Sequence, residues 1–227
     1  MLIQPQLTRA AAGARKVEFG IYRDGDNNLD EMQSSVLDQA RAVSSRDGKI
    51  EFTVEDATKR ESPIADHTAR TEQYTISDGR MGHYEIGGLK DMSARATLAD
   101  FVAHTLDRAE ATHAKQTWIE LVDHGGGDGG GLEADSFGGG IMREDDIAGA
   151  IADGIAQHTR EHPEDANRRV DGVVANQCLM ATLGFESALS DVGVAYLAAS
   201  PETMLAPGVP TSVAAAIADA KTPQEMA

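Results

Sequence analysis

Short apolar segments alternate with longer amphipathic segments along most of this chain. The apolar segments are rich in β-branched and aromatic residues, which favour strands. They predict strands over residues 17–22, 50–54, 118–122, 172–175 and 195–199. Two further runs, 70–76 and 83–86, lie on either side of Asp78-Gly79 and predict a hairpin.

The segments between these strands carry apolar residues at spacings of three and four, which is typical of amphipathic helices. The first predicted helix follows Asn28, whose spacing to Glu31 fits a capping box, and ends near Ser45. Ser93 is the predicted cap of the second helix. Three more helices are predicted, around residues 147–155, over 179–189 and over 211–220.

Strands that alternate with helices in this way predict an α/β fold, with a mainly parallel sheet and helices on both of its faces. Working residues of such sheets lie at the carboxyl ends of the strands. His124 and Cys178 each follow a predicted strand, and one crossover helix separates those strands, so we expect both side chains in one cleft. The glycine-dense segment 125–140 predicts a loop without regular structure.

The composition of the chain argues against two kinds of partner, nucleic acids and membranes. The 227 residues carry a net charge of −17 and no run of Lys or Arg, which argues against a nucleic-acid partner. No stretch of about 18 apolar residues is present, and residues 1–16 do not resemble a secretory signal. We therefore expect no membrane partner and a cytoplasmic location by default, with secretion by another route or a longer precursor as alternatives.

The single cysteine, Cys178, excludes an internal disulfide framework and the usual cysteine-based zinc sites. A nucleophilic thiol needs a base or a cation nearby, since a free thiol with a pKa of about 8.5 is mostly protonated at neutral pH. His124 is the natural partner. Spacing alone leaves open the alternative of a buried, inert cysteine and a histidine that merely follows a strand.

Three segments, in order, carry a family resemblance. Residues 22–29 (YRDGDNNL), 123–127 (DHGGG) and 176–181 (NQCLMA) resemble the hallmarks of clostripain-type cysteine peptidases of the caspase-like clan. The resemblance implies a caspase-like sheet and a Cys–His dyad without a required third residue. In that dyad Cys178 attacks the scissile carbonyl through an acyl-enzyme and His124 moves the protons, while the backbone N–H groups of Gly125 and Cys178 stabilise the oxyanion.

The resemblance also implies a polypeptide substrate that is cleaved after Arg or Lys. The position two before the cysteine, often Asp in such enzymes, is Asn176, which supplies no charge. Glu202 is the nearest acidic candidate for the pocket wall, with a solvated loop glutamate as the alternative. Asp26 is a further candidate for the cleft, although its turn and capping role explains it better. Arg143 is a candidate for self-cleavage.

We expect residues 1–16 to be an N-terminal extension and 17–227 to be the peptidase domain. Many relatives continue past the last predicted strand and helix, so the chain is expected to be either a fragment that lacks C-terminal elements or a minimal form. The dyad requires no cofactor, and some relatives need calcium. A catalytically impaired pseudo-peptidase that serves as an interaction domain is the alternative function.

Two rival interpretations depend on the glycine-rich segment. Residues 124–127 (HGGG) and 134–138 (ADSFG) resemble parts of a lipase site, but Ser136 lies inside a loop and not between a strand and a helix. Carboxylates suited to a calcium-binding interaction domain are Asp123, Asp128, Glu133 and Asp135, although no regular ligand repeat supports that site.

Overall fold

The computed structural model describes residues 17–33, 35–58, 70–86, 88, 90–134, 140–205 and 208–220. The strands are β1 (Val17–Gly25), β2 (Ile50–Thr58), β3 (Arg70–Ser77), β4 (Arg80–Ile86), β5 (Gln116–Val122), β6 (Gly131–Ala134), β7 (Gly140–Met142), β8 (Gly172–Asn176) and β9 (Tyr196–Ala198). The helices are α1 (Asp30–Gln33), α2 (Val36–Asp47), α3 (Arg95–Thr112), α4 (Glu144–Glu161), α5 (Leu183–Asp191) and α6 (Val213–Asp219). Short 3₁₀ turns cover Gly127–Gly129 and Pro163–Asp165.

The main sheet of the described residues has seven strands in the order β4-β3-β2-β1-β5-β8-β9. Strands β2, β1, β5, β8 and β9 are parallel to one another, whereas β3 and β4 form the predicted antiparallel hairpin at one edge. The parallel part requires crossovers, and helices supply them. The predicted α/β class with a mainly parallel sheet is confirmed.

Apolar residues cover both faces of this sheet. On one face, α3, α4 and α5 bury Phe101, Ile151 and Phe185 against β5 and β8. On the other face, α2 and α6 bury Ala40 and Ile217 against β1 and β2. Alternate residues of each strand point to opposite faces, and helices cover both faces. The central strands therefore consist almost entirely of apolar residues.

Three predicted helix starts are wrong. The segment after β1 forms two helices, α1 and α2, so Asn28 is not the cap of one long helix. Ser93 does not cap α3, because the N-cap residue is Ala94 and the Ser93 hydroxyl donates to Asp91 Oδ1 at 2.6 Å. The helix predicted from residue 179 begins at Leu183, since Leu179 has a left-handed backbone with φ of 63°.

The part of the glycine-dense segment that the structure describes, residues 125–134 and 140, contains more regular structure than predicted. Strands β6 and β7 form a small antiparallel sheet, and Gly125 bridges to Gly131. Gly130 adopts a φ of 95°, which side chains rarely allow, and its carbonyl accepts from Gly126 N at 2.7 Å. These glycines allow the chain to fold back tightly on itself between Gly125 and Gly131.

None of the described helices combines the length and apolar character that a bilayer crossing needs. The predictions that concern residues 1–16, Asp135, Ser136 and the Glu133 side chain lie outside the described part of the chain.

Candidate active site

The carboxyl ends of β5 and β8 bring the two candidate catalytic residues together. The strands are parallel neighbours with Val122 opposite Asn176. His124 and Cys178 each lie two residues beyond that pair, so the same edge of the sheet presents both. Both residues are partly exposed, as a site open to a substrate requires.

His124 is held at both its ring and its backbone. Its Nε2 lies 2.6 Å from Asn28 Oδ1, in the loop after β1. Its carbonyl oxygen accepts from Gln177 Nε2 at 2.9 Å. Because an amide oxygen accepts, the proton of the neutral ring is on Nε2, and Nδ1 is the nitrogen that can take up a further proton.

Gly125 packs directly against the backbone of the cysteine. A Cβ atom at this position would lie 2.1 Å from Cys178 O and 2.8 Å from Cys178 N, closer than real contacts allow. Any side chain at Gly125 would therefore push the two loops apart. The contact places the backbone of Gly125 beside that of Cys178, where the resemblance expects the oxyanion donors.

The loop after β9 runs alongside Cys178. Met204 N donates to Cys178 Sγ at 3.2 Å, and Leu179 N donates to Glu202 O at 3.1 Å. Leu179, directly after the cysteine, has a positive φ of 63°, a strained conformation for a residue with a Cβ atom. The left-handed conformation of Leu179 turns the chain sharply after the cysteine. The loop after β9 can therefore lie along one side of the cleft.

Asn176 lies behind the cleft and not on its surface. The buried side chain donates from Nδ2 to Glu120 Oε1 at 2.9 Å, and its Oδ1 accepts from Val209 N at 2.8 Å. Burial raises the pKa of Glu120 to about 7, and the hydrogen bond from Asn176 opposes that change. These contacts fix the loop around Val209 to the sheet. The Glu202 side chain, by contrast, is exposed.

Acidic residues at the carboxyl ends of β1 and β5 form a buried network. Asp26 is fully buried, and its backbone N donates to Asp24 Oδ1 at 3.1 Å. Asn27 Nδ2 donates to Asp123 Oδ1 at 2.6 Å, which links the ends of β1 and β5. Burial, together with the charge of Asp123, raises the pKa of Asp24 to about 8. This network supports the loop that carries Asn28.

Of the four carboxylates predicted to bind calcium, the structure describes the side chains of Asp123 and Asp128. Asp123 is buried in the network described above, whereas Asp128 is exposed in a 3₁₀ turn. Within the described ranges, neither belongs to a group of three donor atoms within 4.8 Å of one another. Arg143 is exposed directly before α4, and its Nη2 lies 3.5 Å from Asp128 O.

Three contacts of the site have no distinct signal in the sequence. Asn28 occurs in the first motif, but its spacing to Glu31 assigns it to helix capping, and no pattern singles out Gln177 or Met204. Their contacts join segments that are far apart in the chain, so local spacing does not reveal them. One weak signal could have identified Asn28: it is a short polar residue just after β1, and β1 is the neighbour of β5, which His124 follows.

The sequence matches no protein-family model and no curated protein. Its fold matches solved C11 cysteine proteases, that is, proteases of the clostripain family. One is a secreted C11 cysteine protease from Bacteroides thetaiotaomicron in complex with an irreversible peptide inhibitor, with a TM-score of 0.68 and 14% identity over 93% of this chain.

A second structure of a secreted C11 cysteine protease from that organism, called iotapain, has a TM-score of 0.64 and 13% identity over 92% of this chain. An inactive zymogen C11 protease from Parabacteroides distasonis has a TM-score of 0.59 and 18% identity over 87% of this chain. The chain spans 56%, 58% and 52% of these three proteins. The caspase-like C11 fold is thereby confirmed.

Proposed function

We propose that this protein is a cysteine endopeptidase in which Cys178 is the nucleophile and His124 the acid–base. The observation that carries the proposal is the register of β5 and β8, with Val122 opposite Asn176, which presents both residues at one edge of the sheet. The close packing of Gly125 on the Cys178 backbone adds the geometry that an oxyanion site requires.

The contacts of His124 support its role. Asn28 occupies Nε2, so Nδ1 accepts the thiol proton of Cys178. The Met204 N–H donates to Sγ at 3.2 Å and positions the sulfur for attack on a substrate. The amide of Asn28 carries no charge, so its hydrogen bond to the ring does not require the ring to stay positively charged.

The reaction proceeds in two steps. Sγ attacks the scissile carbonyl carbon, the C–N bond breaks, and the imidazolium gives its proton to the departing amine. Water then attacks the thioester while His124 takes its proton, and the thiol is restored as the acid product leaves. The N–H groups of Gly125 and Cys178 bind the oxyanion in both steps. We propose no cofactor for these steps; assays with EDTA and with CaCl₂ test whether calcium assists.

The proposed substrate is a polypeptide cleaved after Arg or Lys. The net charge of −17 favours encounter with cationic peptides. The carbonyl of the exposed Glu202 accepts from Leu179 N, next to Cys178, and we propose that its side chain contacts the substrate residue before the cut. The inhibitor in the structure of the similar Bacteroides protease is a peptide, which supports the polypeptide class.

Covalent labelling tests the dyad. A peptidyl chloromethyl ketone that ends in Arg should add its mass to the tryptic peptide that contains Cys178, and the Cys178→Ala variant should stay unlabelled. Iodoacetamide, which needs no substrate pocket, is the control for exposure of the thiol. If iodoacetamide labels the folded protein but ketones with basic, acidic and apolar side chains do not, the peptidase proposal is wrong and a pseudo-peptidase is favoured.

Glu202→Gln tests the basic preference. An exposed carboxylate contributes about 0.2–1 kcal/mol to an ion pair, so kcat/KM for Arg substrates should fall about 1.5- to 5-fold, with no change for Leu substrates. Glu186→Gln, at an exposed glutamate on α5, is the matched control. Equal losses for both substrates would remove Glu202 from the pocket.

Intact mass measurement tests self-cleavage. Arg143 is exposed between β7 and α4, within reach of a second molecule. Wild-type protein should accumulate one fragment that ends at Arg143 and one that begins at Glu144, whereas Cys178→Ala and Arg143→Gln should stay intact. Identical intact chains in wild type and Cys178→Ala would end this proposal.

A further inference from the structure

A second cluster of histidines and carboxylates lies at the amino edge of the sheet, opposite the dyad. Helices α3 and α4 both lead from the carboxyl edge towards the amino edge, so their C-terminal ends lie side by side. Asp107 and Glu110 come from α3, and His158 and His162 come from the last turn and the end of α4. Asp165 follows in the 3₁₀ turn.

One carboxylate oxygen faces both histidine rings. Asp107 Oδ1 lies 2.6 Å from His158 Nδ1 and 3.5 Å from His162 Nε2. The two rings are stacked, with centroids 4.9 Å apart. One donor atom from each of the three residues lies within 4.8 Å of the others.

The other nitrogen of each ring faces a further carboxylate. His162 Nδ1 lies 2.7 Å from Glu110 Oε2, and His158 Nε2 lies 3.5 Å from Asp165 Oδ2. Arg168 pairs with Asp165 and holds it in place. Histidines that bind a metal usually donate their second N–H to such an outer carboxylate, which fixes the ring.

His158 supplies an independent indication of a ligand. Its side chain is fully buried, and its Nε2 has no hydrogen-bond partner among the described residues. If Nδ1 carries the proton and donates it to Asp107, the lone pair of Nε2 faces the Asp165 carboxylate. Two acceptors then face each other with no proton between them. A cation on Nδ1 reverses this arrangement, because the proton then resides on Nε2 and faces Asp165.

We propose that this cluster is a binding site for a divalent transition metal of the zinc class, with Asp107, His158 and His162 as ligands. Two imidazoles and one carboxylate suit zinc, whereas calcium and magnesium prefer oxygen ligands alone. Ligand atoms in a tetrahedral zinc site are about 3.3 Å apart. The separations from Asp107 Oδ1 are 2.6 and 3.5 Å, and the two histidine nitrogens lie within 4.8 Å of each other. Glu110 and Asp165 orient the rings, and the metal clamps the ends of α3 and α4.

Zinc binding should be measured in the Cys178→Ala background, so that the dyad thiol takes no metal. Metal-free protein is titrated with ZnCl₂ against a chromophoric chelator, and thermal unfolding is followed with and without zinc. We expect one zinc per chain and a higher Tm with zinc. Asp107→Asn and His162→Gln should each weaken zinc binding at least tenfold and remove the Tm increase, and Glu110→Gln should weaken binding about 10- to 100-fold.

His113→Asn is the matched control, since His113 is an exposed histidine at the end of α3 whose φ of 55° asparagine tolerates. It should bind zinc as the Cys178→Ala parent does. Both ligand variants alter partly exposed side chains, so the test does not depend on whether a variant of the buried His158 folds.

Three results would overturn the proposal. One is no stoichiometric zinc in the Cys178→Ala protein. Another is zinc binding that Asp107→Asn and His162→Gln leave unchanged. The third is an equal Tm increase with CaCl₂ or MgCl₂, which would contradict the zinc class.

Discussion

The histidines at the two edges of the main sheet differ in burial and in the charge of their neighbours. At the carboxyl edge, His124 is partly exposed on a loop, and its Nε2 contacts the neutral amide of Asn28 at 2.6 Å. At the amino edge, the fully buried His158 lies between Asp107 and Asp165. A neutral neighbour leaves an imidazole able to gain and lose a proton, whereas flanking carboxylates favour a bound cation. In the two proposals above, the difference in surroundings, and not the residue type, makes His124 an acid–base and His158 a metal ligand.

The largest expected effect at the carboxyl edge is that of His124→Ala. Loss of the acid–base should lower kcat/KM for an Arg-containing peptide about 10²- to 10⁴-fold. The Tm should change little, because the ring is partly exposed. Steady-state hydrolysis and thermal unfolding measure the two quantities. His113→Asn is the control, and a decrease below tenfold would contradict the role of His124.

Gly125→Ala should have the next largest effect. Its methyl group would lie 2.1 Å from Cys178 O, so the oxyanion donors would separate, and kcat should fall about 10²- to 10³-fold. Gly129→Ala, in the same loop with nothing within 4 Å, is the matched control and should retain wild-type turnover. Equal turnover in both variants would show that the contact has no catalytic role.

Asn28 variants sharpen the contrast between neutral and acidic surroundings. Asn28→Leu removes the hydrogen bond to His124 and should lower kcat about tenfold with little change in KM. Asn28→Asp places a carboxylate beside Nε2, which stabilises the imidazolium, so the pH profile of kcat/KM should move to higher pH. Profiles of both variants from pH 5 to 10 measure this. An unmoved profile for Asn28→Asp would mean that Asn28 only packs.

Buried carboxyls near the two edges predict a change in stability with pH, and not in turnover. Burial and the charge of Glu51 raise the pKa of Glu18, near the amino edge, to about 8, and burial raises that of Glu120 to about 7. Each carboxyl stays protonated in the fold, whereas in the unfolded chain it ionises above the ordinary glutamate pKa of 4.5. The folded state thus binds more protons, and the free energy of unfolding decreases as pH rises, by on the order of 1 kcal/mol per pH unit for each group.

Urea unfolding between pH 4 and 9 checks this sign. Glu18→Gln should flatten the decrease up to about pH 8, and Glu120→Gln should flatten it up to about pH 7. Asp219→Asn, at an exposed carboxylate on α6, is the control and should keep the wild-type slope. A variant whose slope equals that of wild type would show that its carboxyl is already ionised in the fold.

The sequence by itself determined the α/β class and the edge of the sheet at which His124 and Cys178 lie. Buried parallel strands read as apolar runs, and polar residues directly after them come to one edge whatever the exact strand order. That rule was sufficient to select His124 and Cys178. Helix starts were less predictable, because Asn28 and Ser93 have the residue types of caps but are used by tertiary contacts.

Only the tertiary structure decided which side chains complete each site. Asn176 was a pocket candidate by its position before Cys178, yet its side chain holds Glu120 and Val209. His158 and His162 share one helix face by their spacing, but Asp107 reaches them from another helix, 51 residues away from His158. Such contacts depend on which elements pack together, and local periodicity carries no information about that.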